Sequence, residues 1–304
     1  MSQSACNPRS FHRPLAKLLQ ITSTATLLAT SPAAFGAEAS ADASAVDKWQ
    51  FNLFNPTPRE QMREMSTDRP DQTESPYTVD AGHFQVEMDF VKLTYDRHSP
   101  DGVRTETWNV APVNLKVGLF NNVDLQVILD NYVNERTRDA GVVSRASGFG
   151  DITARVKVNL WGNDGGKTAF AIMPYVKLPL DESDLRNGRT EGGIIVPLAV
   201  ELPGGWGMGL MTEVDFVRED SGGYETEWLN SVTFAHDIIA DRLGGYVEFV
   251  AVFGTAPGFD WQGQVDVGLT YAVTENVQLD AGCNFGVTRS APDFEPFVGI
   301  SVRF

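Results

Sequence analysis

Apolar and polar side chains alternate along the chain from about residue 82 to its last residue. The clearest segment sets Ile152, Ala154, Val156, Val158 and Leu160 against Thr153, Arg155, Lys157 and Asn159. Because successive strand side chains point to opposite sides, such a segment predicts a strand with one apolar and one polar face. About twelve of these segments follow one another, each near the roughly ten residues that a tilted membrane strand requires. The second of them is expected as a single strand over residues 105–119.

The connections between these segments alternate in length. Short turns, such as the one after Leu119 and the one after Leu202, follow every second segment, and mostly longer polar stretches follow the others. Short turns on one side, longer loops on the other and an even strand count are typical of bacterial outer-membrane barrels. The sequence therefore predicts an all-β fold: a closed antiparallel transmembrane β-barrel of about 12 strands with short periplasmic turns and longer extracellular loops.

The final segment, residues 295–304, stops at Phe304, and its residues 296, 298, 300, 302 and 304 form a wholly apolar face. Taken alone, it is equally consistent with a core strand of a soluble protein. Lipid offers no hydrogen-bond partner, so every strand edge of a membrane barrel must be paired. We therefore expect this strand to pair with the first one and to place Phe304 at the seam.

Tryptophans mark the two predicted membrane interfaces. Trp161 and Trp206 lie at short-turn ends, whereas Trp228 and Trp261 lie near long-loop ends, which indicates two aromatic belts. The longest loops, residues 130–148 and 181–193, are expected outside the cell. The facing of segments 167–180 and 224–236 stays open, because both faces of each are largely apolar.

The chain before residue 82 divides into two predicted parts. Residues 1–39 combine basic, modestly apolar and small-residue stretches in the order of a cleaved signal peptide. Residues 40–81 are too polar for a membrane strand, and Thr57 and Pro58 predict a helix start there. We expect this segment to plug the periplasmic mouth of an outer-membrane barrel formed by residues 82–304, with Arg59, Arg63 and Arg69 meeting inward carboxylates. A flexible periplasmic leader is the alternative.

The charge of the chain bears on which partners it can have. The net charge of −16 disfavours nucleic acid, because an acidic surface repels phosphate backbones. The short acidic run of residues 181–184 is most simply a solvated loop, and the sequence implies no metal and no cofactor. The expected partners are outer-membrane lipid and a small-molecule cargo that the sequence does not name.

The polar faces of the predicted strands carry charged side chains that are expected to line the lumen. Basic members come early in the barrel and at its last strand, while the later strands contribute mainly carboxylates. These residues are Glu87, Asp89, Lys116, Asp124, Arg155, Lys157, Glu201, Glu213, Asp215, Glu248, Asp266, Asp280 and Arg303.

Two sequence elements carry a family resemblance. Residues 67–79, TDRPDQTESPYTV, followed by GHFQVE at 82–87, resemble the opening motif of the outer-membrane family named for the MetA pathway of phenol degradation. Residues 148–151, GFGD, are similar to a second element of that family. The resemblance covers residues 67–304 and implies a transporter or channel for small organic, including aromatic, compounds. Phe304 resembles the terminal signal that outer-membrane barrels present to the barrel-assembly machinery.

The leading hypothesis is therefore an outer-membrane channel through which small organic compounds diffuse passively, and not an enzyme. Its acid excess predicts a mild cation preference, and apolar residues such as Met173, Tyr175 and Leu229 offer a path for hydrophobic molecules. A structural or adhesive barrel without transport is the second class. A lipid hydrolase is the third, and its candidate histidines are His83, His98 and His236.

Overall fold

A computed structural model describes residues 47–179, 189–218 and 223–304. The predicted signal peptide and the acidic run at 181–184 lie outside these residues. Two single-turn 3₁₀ helices, Lys48–Gln50 and Arg59–Gln61, precede the strands. The strands are β1 (Phe84–Asp96), β2 (Arg104–Val110), β3 (Val113–Phe120), β4 (Val123–Leu129), β5 (Tyr132–Asp139), β6 (Val142–Gly148), β7 (Ile152–Trp161), β8 (Thr168–Leu178), β9 (Glu191–Leu202), β10 (Trp206–Arg218), β11 (Tyr224–Ile239), β12 (Leu243–Gly254), β13 (Gln262–Thr274), β14 (Val277–Gly286) and β15 (Phe294–Arg303). Among the described residues, no helix is long and apolar enough to cross a membrane.

Twelve of the strands form a closed antiparallel ring, which confirms the predicted barrel. The ring runs β1-β3-β4-β7 and then β8 to β15 in order, and β15 returns to pair with β1. At this seam Gln85 lies opposite Arg303, and the Phe304 amide donates to the Phe84 carbonyl at 2.8 Å. Closure leaves neither edge of the ring unpaired, as a hydrocarbon surrounding requires.

Three strands, β2, β5 and β6, lie outside the ring as an extracellular extension. The upper half of β1 pairs with β2, β2 pairs with β5, and β5 pairs with β6. The extension departs from the ring where Ala111 adopts a positive φ of 53° beside Pro112, a residue that has no backbone N–H to give to a ladder. Gly150 permits a second close approach, because a Cβ there would lie 1.7 Å from the Cβ of Asp130.

Two features of the prediction are wrong here. The single strand expected over 105–119 is divided into β2 and β3, and the loop expected over 130–148 contains β5 and β6. Residues 133–147 are mostly polar on both faces, so they lack the apolar alternation that reveals a lipid-facing strand.

The helix expected after Thr57 is also wrong, because the chain forms only the 3₁₀ turn Arg59–Gln61 and is extended again at Met62. The Arg63 amide donates to Asp80 at 3.1 Å, so a tertiary contact replaces the next helical hydrogen bond.

The outer surface is apolar and the inner surface mainly polar. Trp161, Trp206, Trp228 and Trp261 are all at least 38% exposed and lie near the two ends of the ring. Strands β8 and β11, whose facing the sequence left open, point Met173 and Ser231 inward and Trp228 outward. Both faces of β8 read as apolar because its inward side chains also pack in an apolar cluster.

Candidate functional site in the barrel lumen

The lumen is occupied by the N-terminal segment, of which residues 63–80 are called the plug from here on. Asn52 bridges to Phe120, and Ala81 to Gly118, at the periplasmic rim. From that rim the plug extends into the ring, contacts opposite walls and returns to the rim where β1 begins. The predicted division of the chain into residues 1–39, 40–81 and 82–304 stays a prediction.

One wall, formed by Lys116 of β3 with Arg155 and Lys157 of β7, is called the cationic wall. Lys116 and Lys157 each place Nζ 2.5 Å from a carboxylate oxygen of Asp68 in the plug. Arg155 binds Glu74 through both terminal nitrogens, at 2.5 and 3.1 Å. Lys157 is completely buried, so its charge depends on these acidic partners for stabilisation.

The two plug carboxylates at this wall differ in protonation. Burial opposes the ionised form of Asp68, but the charges of Lys116, Lys157 and Arg155 hold its pKa well below the ordinary range. Burial raises the pKa of Glu74 to about 7, although Arg155 acts in the opposite direction. Asp68 is therefore a fixed negative charge, and Glu74 titrates near neutral pH.

The opposite wall, the acidic wall, comprises Asp89 of β1, Glu248 of β12, Asp266 of β13 and Asp280 of β14. Arg69 of the plug places Nη2 2.7 Å from Asp89 and 2.6 Å from Asp280. Gly299 of β15 lies between these two carboxylates in the ladder, opposite both. A Cβ at Gly299 would lie 2.2 Å from Arg69 Nη2, so the glycine leaves the space that the guanidinium occupies.

Further along the acidic wall, Glu248 holds the plug backbone. The amides of Gln72 and Thr73 donate to its two carboxylate oxygens at 2.7 and 2.8 Å, and Thr73 Oγ1 donates at 2.5 Å. Gln72 Nε2 also donates to Asp266 at 2.7 Å. Beside them, burial and the charge of Glu248 raise the pKa of Asp71 well above its ordinary value, so this plug carboxylate is disfavoured as an ion.

A third wall is apolar. Met173 of β8, Ile195 of β9 and Met211 of β10 form a buried cluster inside the ring, with Tyr175 and Leu229 packed against it. The Glu74 amide lies 3.2 Å from Met211 Sδ, so the plug adjoins this cluster.

Three cavities adjoin the plug. A cavity of about 770 Å³ opens at the periplasmic mouth, and one of about 210 Å³ continues from it, sharing Asp237, Gly244 and Thr270. A third, of about 250 Å³, lies on the extracellular side beside Lys92 and Asn284. The second and third cavities are both bounded by residues 69–71 of the plug. This short stretch, Arg69 to Asp71, therefore separates the two sides of the lumen.

The remaining sequence-predicted residues have different environments. Glu87 pairs with Lys116, Asp124 accepts from the Val79 amide at 3.0 Å, and Arg303 lies 3.6 Å from Asp80. Glu213 and Asp215 lie on the inward face of β10, where the Tyr175 hydroxyl donates to Asp215. Glu201 is exposed at the periplasmic end of β9.

The three arginines singled out in the N-terminal segment are also placed differently from one another. Arg69 lies against inward carboxylates, whereas Arg63 pairs with Asp164 in a short turn and with Asp80 of the plug itself. Arg59 lies at the mouth cavity and has no ion pair with any described residue.

The three candidate catalytic histidines are far apart in sequence and have separate partners. His83 contacts the carbonyls of Thr57 and Phe304, and His236 contacts those of Gly204 and Asp237. His98 Nδ1 lies 2.6 Å from Asp293 at the extracellular side. Over the described ranges, no group of three or more His, Cys, Asp or Glu residues is arranged to hold a metal ion.

Several functional contacts were missed in the sequence. Asp68, Gln72, Thr73 and Glu74 supply most of the plug's polar contacts, yet only its arginines were singled out. The alternation of acidic, basic and amide residues over 67–74 was the available signal, since a segment set between two walls of opposite charge needs both signs.

Comparisons with known proteins agree with this architecture. A family model described as "Putative MetA-pathway of phenol degradation" matches residues 67–304. Among solved structures, an outer membrane channel from Pseudomonas putida F1 is similar with a TM-score of 0.59 and 13% identity, over 79% of this chain and 100% of that chain.

Two further solved structures are more distant. The NanC porin has a TM-score of 0.43 at 12% identity, covering 72% of this chain and 98% of that chain. The beta domain of the Bordetella autotransporter BrkA has a TM-score of 0.45 at 12% identity, covering 73% and 99%. A search of curated proteins finds no match. At 13% identity, the likeness to the Pseudomonas putida F1 channel concerns the fold alone.

Proposed function

Because this chain belongs to the family described as "Putative MetA-pathway of phenol degradation", we propose that it is an outer-membrane channel for small organic compounds. Solutes diffuse through the lumen when residues 69–71 of the plug move aside. The observation that carries the proposal is the pair of cavities on either side of this stretch, both of which it bounds. The same three residues thus line a cavity on each side of the plug.

The apolar wall supports an organic cargo. A lumen that conducts only ions has no need of the buried cluster of Met173, Ile195 and Met211, whereas an aromatic solute gains from apolar contact. The cavities of about 210 and 250 Å³ are also large enough, since a cavity of about 150 Å³ holds benzene. The cargo is therefore a small, partly apolar molecule.

A reversible cross-link tests the plug's movement. Thr73 Oγ1 and Ser231 Oγ are 2.6 Å apart, close to the spacing of two bonded sulfurs. Thr73→Cys/Ser231→Cys, in a Cys283→Ser background, ties the plug to β11 when oxidised. We expect phenol flux into proteoliposomes and planar-bilayer conductance to fall at least tenfold on oxidation and to return with reductant.

Thr73→Cys/Cys283→Ser, which lacks the second cysteine, is the matched control. Its phenol flux is expected to be the same under oxidising and reducing conditions. Equal flux through the oxidised and reduced double-cysteine protein would contradict a moving plug.

A structural or adhesive barrel is the second candidate, favoured by the closure of the lumen at residues 69–71. It predicts no conductance and no phenol flux in the reduced protein, nor after Arg69→Gln weakens the contacts with Asp89 and Asp280.

A further inference from the structure

Four arginines cluster on one face of the extracellular extension. Arg104 of β2 lies directly opposite Arg138 of β5, and Arg136 of β5 lies opposite Arg145 of β6. Residues opposite one another in an antiparallel ladder share a face, and alternate residues along a strand do so as well. The four side chains therefore form one group, called the arginine patch, on a chain whose net charge is −16.

The patch continues the lipid-facing surface of the barrel. Val298 of β15 is exposed on the outside of the ring, Val91 lies opposite it, and Val110 lies opposite Val91. Val110 is on the same face of β2 as Arg104, because the two are separated by an even number of residues. The arginines consequently point away from the lumen.

The arginines lie on the extracellular side of the aromatic belt. Trp108 and Tyr132 are exposed on this face at 40% and 43%, as expected for aromatic side chains at a membrane interface. Arg136 and Arg138 follow Tyr132 by four and six positions along β5, and a strand rises about 3.3 Å per residue. The patch therefore lies roughly 13 to 20 Å beyond Tyr132 along the strand, on the extracellular side.

The guanidinium groups of the patch are available for a ligand. None of the four forms an ion pair or side-chain hydrogen bond with another residue of the described ranges, and three of them, Arg104, Arg138 and Arg145, are exposed. The face carries one carboxylate, Glu106, which lies directly opposite Arg136 in the ladder and accepts a hydrogen bond from Trp108 Nε1 at 2.8 Å. The positive charge is thus largely uncompensated within the protein.

We propose that the arginine patch binds the phosphate groups of a phosphorylated glycolipid, lipopolysaccharide, in the outer leaflet. Guanidinium groups bind phosphate oxygens in a bidentate manner. Trp108, Val110 and Tyr132, nearer the membrane on the same face, contact the acyl chains of the same lipid. The site lies on the outside of the extension and is separate from the lumen, so it acts whether or not the channel conducts.

Native mass spectrometry of the detergent-solubilised protein with bisphosphorylated lipid A tests the proposal. Arg138→Gln/Arg145→Gln removes two exposed charges from strands outside the ring. We expect its affinity to fall roughly thirtyfold, because each basic residue near an anionic membrane surface contributes about a fivefold factor. Lys167→Gln/Arg289→Gln removes the same charge from an exposed periplasmic turn and another extracellular loop, and its affinity is expected to stay at the wild-type value.

Three results would overturn the assignment: equal affinity of the patch variant and its control, undiminished binding of lipid A that lacks both phosphates, or equally tight binding of phosphatidylglycerol. The last result would mean attraction to anionic headgroups in general. If the double variant fails to fold, Arg138→Gln and Arg145→Gln are measured singly, each with an expected fivefold loss.

Discussion

The cationic and acidic walls hold the same plug in different ways. At the cationic wall the partners are side-chain charges: Asp68 meets Lys116 and Lys157, and all three are almost completely buried. At the acidic wall Glu248 receives backbone amides, and Arg69 is the plug's only cation there among the described residues. The first wall depends on paired buried charge, which is costly to break. The second leaves carboxylates close together and is easier to perturb.

The largest expected effect is a difference in stability between variants of Asp68 and Asp71, two plug carboxylates that lie three residues apart. Asp68→Asn leaves Lys116 and Lys157 short of a buried counter-charge, and we expect it to lower the free energy of unfolding in urea by about 3–5 kcal/mol. Asp71→Asn removes a carboxylate whose pKa is already raised by burial and by Glu248, so it is expected to be neutral or stabilising. Equal losses of unfolding free energy in the two variants would contradict the proposed difference between the walls.

A smaller effect is expected from filling the space beneath Arg69. Gly299→Ala places a methyl group 2.2 Å from Arg69 Nη2 and 2.5 Å from the Met88 carbonyl oxygen of β1, so the guanidinium must leave Asp89 and Asp280 and the seam must shift, at a cost of about 1–3 kcal/mol. We expect more frequent opening in planar bilayers. Gly207→Ala is the matched control, since the nearest atom to its added Cβ is 4.0 Å away. Similar opening frequencies in the two variants would contradict a role for Arg69 in keeping the channel closed.

Proton binding is expected to tighten the plug as the pH falls. The pKa of Glu74 is raised by burial to about 7, above its unfolded value of about 4.3, so the docked state binds a proton that the released state does not. Stability therefore rises as the pH falls from about 8 to 5.5, while Asp68 stays ionised because its pKa is depressed. Hydrogen exchange of residues 66–75, corrected for intrinsic rates, should show about thirtyfold greater protection at pH 5.5 than at pH 8.

Glu74→Gln tests the origin of this pH dependence, because a glutamine at this position has no proton to bind. Its protection is expected to be nearly constant over the same range. A pH response as large as that of the wild type would assign the effect to other carboxylates.

The smallest expected effect concerns ion selectivity. The periplasmic cavity is lined by four arginines and four carboxylates, of which Glu64 and Glu275 are exposed. The acid excess of the whole chain, with its net charge of −16, is therefore the basis on which an open channel is expected to favour K⁺ over Cl⁻ by about two- to fivefold. Glu64→Gln/Glu275→Gln should bring the ratio towards one, measured as the reversal potential in a KCl gradient. A clear anion preference in the wild type would contradict the prediction.

The barrel was predictable from the sequence because lipid imposes a strict alternation. Segment 152–160 shows this in its residues, and β7 follows it from Ile152 to Trp161. Where lipid does not impose the pattern, the prediction was incomplete. β5 and β6, with polar residues on both faces, were missed as strands, and β8, with apolar residues on both, was predicted as a strand whose facing stayed open. Recognition of Phe304 by the barrel-assembly machinery stays a prediction.

The plug was only half predictable. Its arginines and the inward carboxylates were visible, but pairing Arg69 with Asp280 joins residues 211 positions apart, which no local pattern specifies. Gly299 was equally hidden, because a missing side chain gives no sign of what fills its space. The helix expected after Thr57 does not form, because contacts with Asp80 outweigh a local capping preference.

The seam has a consequence for the order in which the molecule forms. Arg303 Nη1 donates to the Arg63 carbonyl at 2.8 Å, and His83 lies between the carbonyls of Thr57 and Phe304. Residues of β15 and Phe304 are thus bonded to the first part of the described chain, inside the wall that they complete. We expect the N-terminal residues to be docked before the barrel closes. Deletion of residues 47–65 should therefore slow the pairing of β15 with β1 more than it slows the pairing of β9 with β10.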